Sequence, residues 1–555
     1  AKSKKCTERK KTNQTTVTTH QMLSRSRVVI LVLLGAILVG VYVTPLVKHV
    51  LVVGTGYVAK NACSAHLLAD RSLAELRTPG AELASPLLLH RLLDSLLSFE
   101  VLSLRELRAE HLDVDVELGS LAVAVRCAFL FPRLLAVERI ALFRPSLGCT
   151  LLPDCEAASR LLADTPLSAY RQHLALRAES RALRDSEFAS RADADEEGEG
   201  AEEDDDPSTA LLWPHSNRVA RQAQLSATQW NAEVGTLAWA VQAAFAEHYG
   251  SDNPKLTRSL VVVQHGRIVA SRSAPSFSNA LTPQLGWSMT KSVLNALVGI
   301  RVEQGAMRLD DPVHAPEWPA EDDARHNITV RHLLQMTCGL DFPEKYSPLS
   351  PVPRMLFHDL DTAHAGASSP LKHAPGTHWY YSSAASNVLS RALRHSFDTH
   401  QEYLRFPREA LFAPLGMHTA VMEPDVAGNF VGSSYMYASA LDWARFGQLY
   451  LQRGEWQGRR LLSADWVDFS LSPVDASPKR RYGAHWWLNR GDLHNTTDRY
   501  MRGVPSDASM CLGHDGQLVV VLPSQNAVVV RLGLTRGGEE ALDAEGMLSR
   551  IIAAL

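Results

Sequence analysis

Ser288 and Lys291 stand three residues apart at the start of a run, Gly286 to Gly305, whose apolar members Val293, Leu294, Leu297, Val298 and Val302 keep helical spacing. On a helix, positions i and i+3 lie one above the other, so the lysine ammonium reaches the serine hydroxyl. A lysine buried there loses its proton near neutral pH and becomes a base for a serine nucleophile. The helix N-terminus favours negative charge developing beside it, and Gly305 is placed to end the helix. The pair alone is weak evidence, because a serine and a lysine at this spacing arise by chance in most long chains.

Two later clusters strengthen it. Trp379-Tyr-Tyr-Ser-Ser383 offers Tyr380-x-Ser382 and Tyr381-x-Ser383, and Gly513-His-Asp-Gly-Gln517 precedes an apolar run, Leu518 to Leu522. With Ser288-Met-Thr-Lys291, Leu309-Asp-Asp-Pro-Val313 and Ile328 to Leu340, these segments resemble the serine β-lactamase/penicillin-recognising superfamily. The class C-like branch, with 6-aminohexanoate-dimer hydrolase and related esterases, is the nearest likeness, over roughly residues 256–535. The resemblance implies an acyl-enzyme on Ser288, with Lys291 and Tyr381 sharing base and acid duties. It favours Tyr381 over Tyr380 because Val388-Leu389 follows Tyr381 at the family offset of seven and eight residues. A tyrosine near two cations would have a lowered pKa and relay a proton to the leaving group.

The same resemblance makes His514-Asp515-Gly516 the third motif, on an edge strand facing substrate. The backbone N–H groups of Gln517 and Ser288 would then form the oxyanion hole. Ser383 replaces the amide that holds β-lactam side chains in related enzymes, which favours small esters or linear amides as substrates. Asp442, in Tyr437 to Gly447, is expected to anchor its helix. No cofactor or metal is implied.

Competing chemistries lack their residues. No H-E-x-x-H or H-x-x-E-H occurs among the 22 histidines, and Gly-x-Ser-x-Gly is absent. No Cys-x-x-Cys pair supports zinc or thioredoxin chemistry. Cys338 reads as a buried small residue rather than a nucleophile. A catalytically silent, membrane-tethered binding protein with the same fold is the alternative from another class.

The elements that must position these residues follow from the rest of the chain. Its 555 residues, 46% apolar and 21% charged with a net charge of −4, are too many for one core and too balanced for a nucleic-acid binder. Residues 1–27 are basic. Val28 to Val47 carries no charge over twenty residues, enough to span about 30 Å of hydrocarbon. That reads as an uncleaved anchor in a lipid bilayer with the N-terminus cytosolic. The remainder would be periplasmic, lumenal or extracellular, and the mitochondrial inner membrane is a further option. Residues 48–190 read as a small mixed α/β domain, with a hairpin in which Leu112–Leu118 and Leu121–Cys127 alternate. Residues 156–190 read as helical, and residues 191–210, with ten acids between 193 and 206, as a disordered linker.

Residues 211–555 read as the catalytic domain. The expected fold class is α+β, a sandwich of antiparallel sheet flanked by helices plus an all-helical cluster between the first and third motifs. Strands are expected at 260–269 and 518–532. Beyond the anchor, a Cys63–Cys149 disulfide is expected, with Cys149–Cys155 competing and Cys127 left a buried thiol. Asn327 and Asn495 head glycosylation triplets.

Overall fold

The computed structural model describes Lys60 and residues 112–117, 122–127, 137–144, 147–152, 233–246, 255–274, 281–347, 349–491, 498–535 and 541–555. The expected anchor 28–47, the basic tail, the 156–190 helix, the acidic tract, Cys63, Cys155, the Cys127 side chain and the Asn495 triplet lie outside the described residues. Among the described residues no helix is long and apolar enough to cross a membrane.

The alternating hairpin is present as β1 (Leu112–Glu117) and β2 (Ala122–Cys127). It extends through β3 (Val137–Arg144) and β4 (Gly148–Leu152) into a four-stranded antiparallel sheet. Cys149 on β4 is disulfide-bonded. Its N–H donates to Glu423 Oε1 (2.6 Å), and Thr150 donates to the Pro424 carbonyl (3.2 Å). The Lys60 ammonium donates to the Cys149 carbonyl (2.5 Å) and pairs with Glu423, whose side chain is fully buried.

The catalytic region is built on a six-stranded antiparallel sheet whose members, in spatial order, are Trp487–Leu488, Ser509–Gly513, Gln517–Leu522, Ala527–Gly533, Thr257–Gln264 and Arg267–Ser273. These strands are β5 (Thr257–Gln264), β6 (Arg267–Ser273), β12 (Trp487–Leu488), β13 (Ser509–Gly513), β14 (Gln517–Leu522) and β15 (Ala527–Gly533). Side chains alternate between faces along a strand. Leu260 and Val262 enter one core with α1 (Leu237–Phe245) and a C-terminal helix (Ala544–Ala553). Val261 and Val263 enter the other, with α2 (Thr290–Glu303) and a helix at Ala440–Leu451. Covering both faces is why Leu260 to Val263 and Leu518 to Leu522 are unbroken apolar runs. The expected strands and flanking helices are therefore present.

Gly305 follows α2 with φ +73°, a left-handed conformation that favours glycine. Between the first and third motifs lie helices α3 (Val330–Leu334), α4 (Pro351–Phe357), α5 (Thr362–Ala367) and α6 (Ser383–His395). The Ala440–Leu451 helix is anchored as expected. Asp442 accepts from Thr419 N (2.8 Å), Thr419 Oγ1 (2.6 Å) and Arg445 (2.8 Å). The same helix lies close on the sheet at Gly447, where an added Cβ would sit 2.6 Å from Val528 Cγ1 and 2.9 Å from Val519 Cγ1. Gly447→Val is therefore expected to lose about 1–3 kcal/mol of stability by overpacking. Urea titration would read this as a lower midpoint, and an unchanged midpoint would contradict the close approach.

Candidate active site

Ser288 occupies a short 3₁₀ turn, Trp287–Met289, that feeds directly into α2. Trp287 takes φ +48°, so the chain turns sharply just before the serine. Lys291 lies in the first turn of α2 and is 1% exposed. Its Nζ is 3.1 Å from Ser288 Oγ, 3.2 Å from Ser383 Oγ and 2.9 Å from the Ser433 carbonyl oxygen. Burial lowers the lysine pKa to about 8, against an opposing pull from the Glu344 carboxylate. The α2 backbone is braced by His485, whose ring meets the Lys291 carbonyl at 3.0 Å and Ser386 Oγ at 3.2 Å. Burial drives that imidazole to a pKa of about 3, so it is a neutral strut.

The two tyrosines separate. Tyr381 lies 4.9 Å, ring centroid to Nζ, from Lys291, and its hydroxyl is hydrogen-bonded to Ser288. Tyr380 is 43% exposed and its hydroxyl accepts from Glu344 N (2.9 Å). The expected lowering of the tyrosine pKa is not found. Burial pushes Tyr381 up and the nearby Glu344 charge adds to this, while the Ser288 hydrogen bond works against them. Tyr381 therefore keeps its proton, which suits it to acid rather than base chemistry.

Ser383 is hydrogen-bonded on two sides. Its hydroxyl donates to Glu344 Oε1 (2.5 Å) and its N–H to Glu344 Oε2 (2.8 Å). It bridges Lys291 and Glu344. Glu344 arrives on a strap, residues 342–347, that begins at buried Phe342 and whose Lys345 and Ser347 carbonyls accept from buried Ser350. Tyr346 on the strap donates to Glu344 (2.8 Å) and stacks on His514 at 5.5 Å. Sequence reasoning did not single out Glu344, Tyr346, His485 or the Ser433 carbonyl.

His514-Asp515-Gly516 is not on a strand but in the turn joining β13 to β14. Asp515 and Gly516 take φ +58° and +78°, the conformation an Asp-Gly hairpin turn favours. β12 pairs only with Ser509 and Met510, so the Cys511–Gly513 end of β13 is a local sheet edge. That end lies against the turn that carries Ser288: a Cβ on Gly513 would be 2.2 Å from the Gly286 carbonyl oxygen. His514 meets Trp287 edge-on at 5.7 Å, with about half its side chain exposed. Gly516 lies against Arg531, which accounts for its lack of a side chain. Gln517 is buried, and its side-chain amide is spent on the His514, Asp515 and Gly533 carbonyls and on Gly533 N. Only its backbone is left for substrate. Cys338 and Cys511 are buried free thiols, and burial raises Cys338 to about 11, far from a reactive thiolate. No group of residues that could hold a metal occurs among the described residues.

A serine, a buried lysine and a tyrosine thus meet beside the end of an antiparallel sheet, and the sequence comparison agrees with that geometry. A beta-lactamase family model matches residues 247–552, more than half of the chain. The chain belongs to the beta-lactamase family. No curated protein matches it. Solved structures similar to this family member include a candidate 6-aminohexanoate-dimer hydrolase from Bacillus anthracis. That likeness has 18% identity and a TM-score of 0.45, covering 55% of this chain and 83% of that one. EstCE1, a hydrolase with promiscuous acyltransferase activity, has 18% identity and a TM-score of 0.44, covering 57% and 98%. A beta-lactamase from Mycobacterium bovis has 18% identity and a TM-score of 0.39, covering 54% and 94%. The beta-lactamase-family serine hydrolase fold is therefore that of residues 247–552.

Proposed function

We propose that this chain is a serine hydrolase cleaving small esters or linear amides through an acyl-enzyme on Ser288. The observation that carries the reading is the buried Lys291 ammonium, 3.1 Å from Ser288 Oγ with its pKa lowered to about 8. In neutral form it accepts the Ser288 proton as Oγ attacks the carbonyl carbon. Tyr381, still protonated, gives its proton to the leaving alkoxide or amine and recovers one from Lys291. A water then attacks the ester on Ser288, with the same groups returning the protons. The backbone N–H groups of Ser288 and Gln517 are proposed to hold the tetrahedral oxygen. His514 and Gly516 border the substrate side.

Ser383, tied to Glu344, offers no amide to a β-lactam side chain, which favours esters and simple amides over β-lactams. The uncharged run 28–47 is proposed to tether the enzyme to a membrane, with the hydrolase on the side opposite the basic tail. A fluorophosphonate probe tests the chemistry: wild type is labelled and Ser288→Ala is not. Absence of labelling in wild type, with p-nitrophenyl esters, aminohexanoate oligomers and a chromogenic cephalosporin all inert, would instead establish a silent binding protein.

A further inference from the structure

Lys291 raises a question of hydrogen-bond direction. A neutral amine has two N–H donors and one lone pair, and it can serve as base only if the lone pair faces Ser288. Three oxygens surround its Nζ. The Ser433 carbonyl (2.9 Å) can only accept, so it takes one hydrogen. Ser383 Oγ (3.2 Å) is ambiguous: it can accept the second hydrogen, or it can turn its own hydrogen onto the lone pair and disable the base. Glu344 removes the ambiguity. Its carboxylate can only accept, and it holds the Ser383 hydroxyl at 2.5 Å and the Ser383 N–H at 2.8 Å.

We propose that Glu344 is a positioning residue for catalysis. By taking the Ser383 hydroxyl hydrogen, its carboxylate leaves the Lys291 lone pair no partner but Ser288. The inference rests on Ser288 being the nucleophile. The strap makes the arrangement conditional on its own placement. Glu344 stays in register because its N–H donates to Tyr380 and Tyr346 donates to its Oε1, while Tyr346 stacks on His514 across the cleft. The carboxylate also acts by charge. The titratable groups around Lys291 are Glu344 from the strap, Tyr381 ahead of α6, and His485 from the segment before β12. Of these Glu344 alone favours the ammonium, so its removal makes Lys291 easier to deprotonate.

The test uses p-nitrophenyl acetate and the full chain, with Glu344→Gln, Ser383→Ala and the double variant. The charge-free but similarly shaped Glu344→Gln is expected to lower the plateau kcat about tenfold, because Ser383 is no longer held in one orientation. Its acid limb is expected to move to lower pH, a shift that a merely structural contact would not produce. The double variant should have the plateau of Ser383→Ala alone, since the orienting effect passes through that hydroxyl. An unmoved limb, or multiplicative losses in the double variant, would overturn the inference. Fluorophosphonate labelling keeps the two failures apart. Wild type labelled at Ser288 with an unmoved Glu344→Gln limb rejects the positioning role alone. Ester hydrolysis that survives Ser288→Ala rejects the nucleophile as well.

Discussion

Lys291→Met is expected to lower kcat/KM for a p-nitrophenyl ester by about 1,000-fold or more while the protein stays folded. Methionine fills nearly the same volume, so the core around α2 is retained and what disappears is the base. In wild type, kcat/KM is expected to rise as pH increases through about 8, because in the proposed mechanism the lysine must be neutral to accept the Ser288 proton. The same titration appears in stability. The folded pKa of about 8 lies below the ordinary 10.5, so the unfolded chain binds the extra proton between those values. Stability contributed at this site is therefore lowest below pH 8 and recovers as pH rises from 8 to 10.5, by about 3 kcal/mol over the interval. Lys291→Met lacks that rise, so the wild-type stability measured relative to the variant is expected to increase between pH 8 and 10.5. A variant retaining a tenth of wild-type activity, or a wild-type acid limb near pH 6, would remove Lys291 from the role of base.

Arg531→Met is expected to be the most damaging single change in the sheet. The side chain is fully buried on β15, where charge is tolerated only if its hydrogen bonds are satisfied. It donates to the Gly516 carbonyl (2.8 Å), the Asp515 carbonyl (3.2 Å), Thr535 Oγ1 (2.6 Å), the Lys255 carbonyl (2.6 Å) and Thr257 Oγ1 (3.2 Å). The guanidinium thereby ties the His514–Gly516 turn to the far end of β5. Methionine preserves bulk but supplies no donor, so the partly buried Gly516 carbonyl and the buried Lys255 carbonyl both lose this partner. About 2–4 kcal/mol should be lost, and kcat/KM should fall at temperatures where the variant remains folded, because the turn against the nucleophile is loosened. Urea unfolding with an unchanged midpoint would show that the turn holds without the arginine.

Much of this site can be read from spacing alone. Ser288 and Lys291 belong to one helix start, so their proximity is a local property that i and i+3 guarantee. Strands β5 and β14 announce themselves as apolar runs because both faces are covered. Tyr381 was separated from Tyr380 by its offset from Val388 and Leu389, and the two rings do face different ways. The direction of its pKa differs from what the motif implies for a physical reason: the sign depends on burial and on Glu344, neither of which the motif contains. Glu344 itself lies on a strap without periodicity, 53 residues beyond Lys291 in the chain, and resembles any surface acid until the fold places it. The Ser433 contribution is a carbonyl, which every residue has, so no residue type could reveal it. His514 was recognised, but its place in a turn depended on Asp515 and Gly516 both adopting positive φ.

The buried contact between Glu423 and the N-terminal sheet bears on where this protein can be cut. The family match begins at residue 247, and a cloning boundary drawn there would look natural. It would also delete Lys60 and Cys149, and with them an ammonium and an N–H that serve the Glu423 carboxylate. The consequence would not stay at the seam. Glu423 N donates to the Tyr435 carbonyl and Val431 N to the Glu423 carbonyl, closing the segment that contains Ser433. The Ser433 carbonyl is what steadies Lys291. Cutting at residue 247 would therefore remove contacts that lie two steps from Lys291, in residues outside the family match, so the longer chain is expected to hold that lysine better than the excised segment.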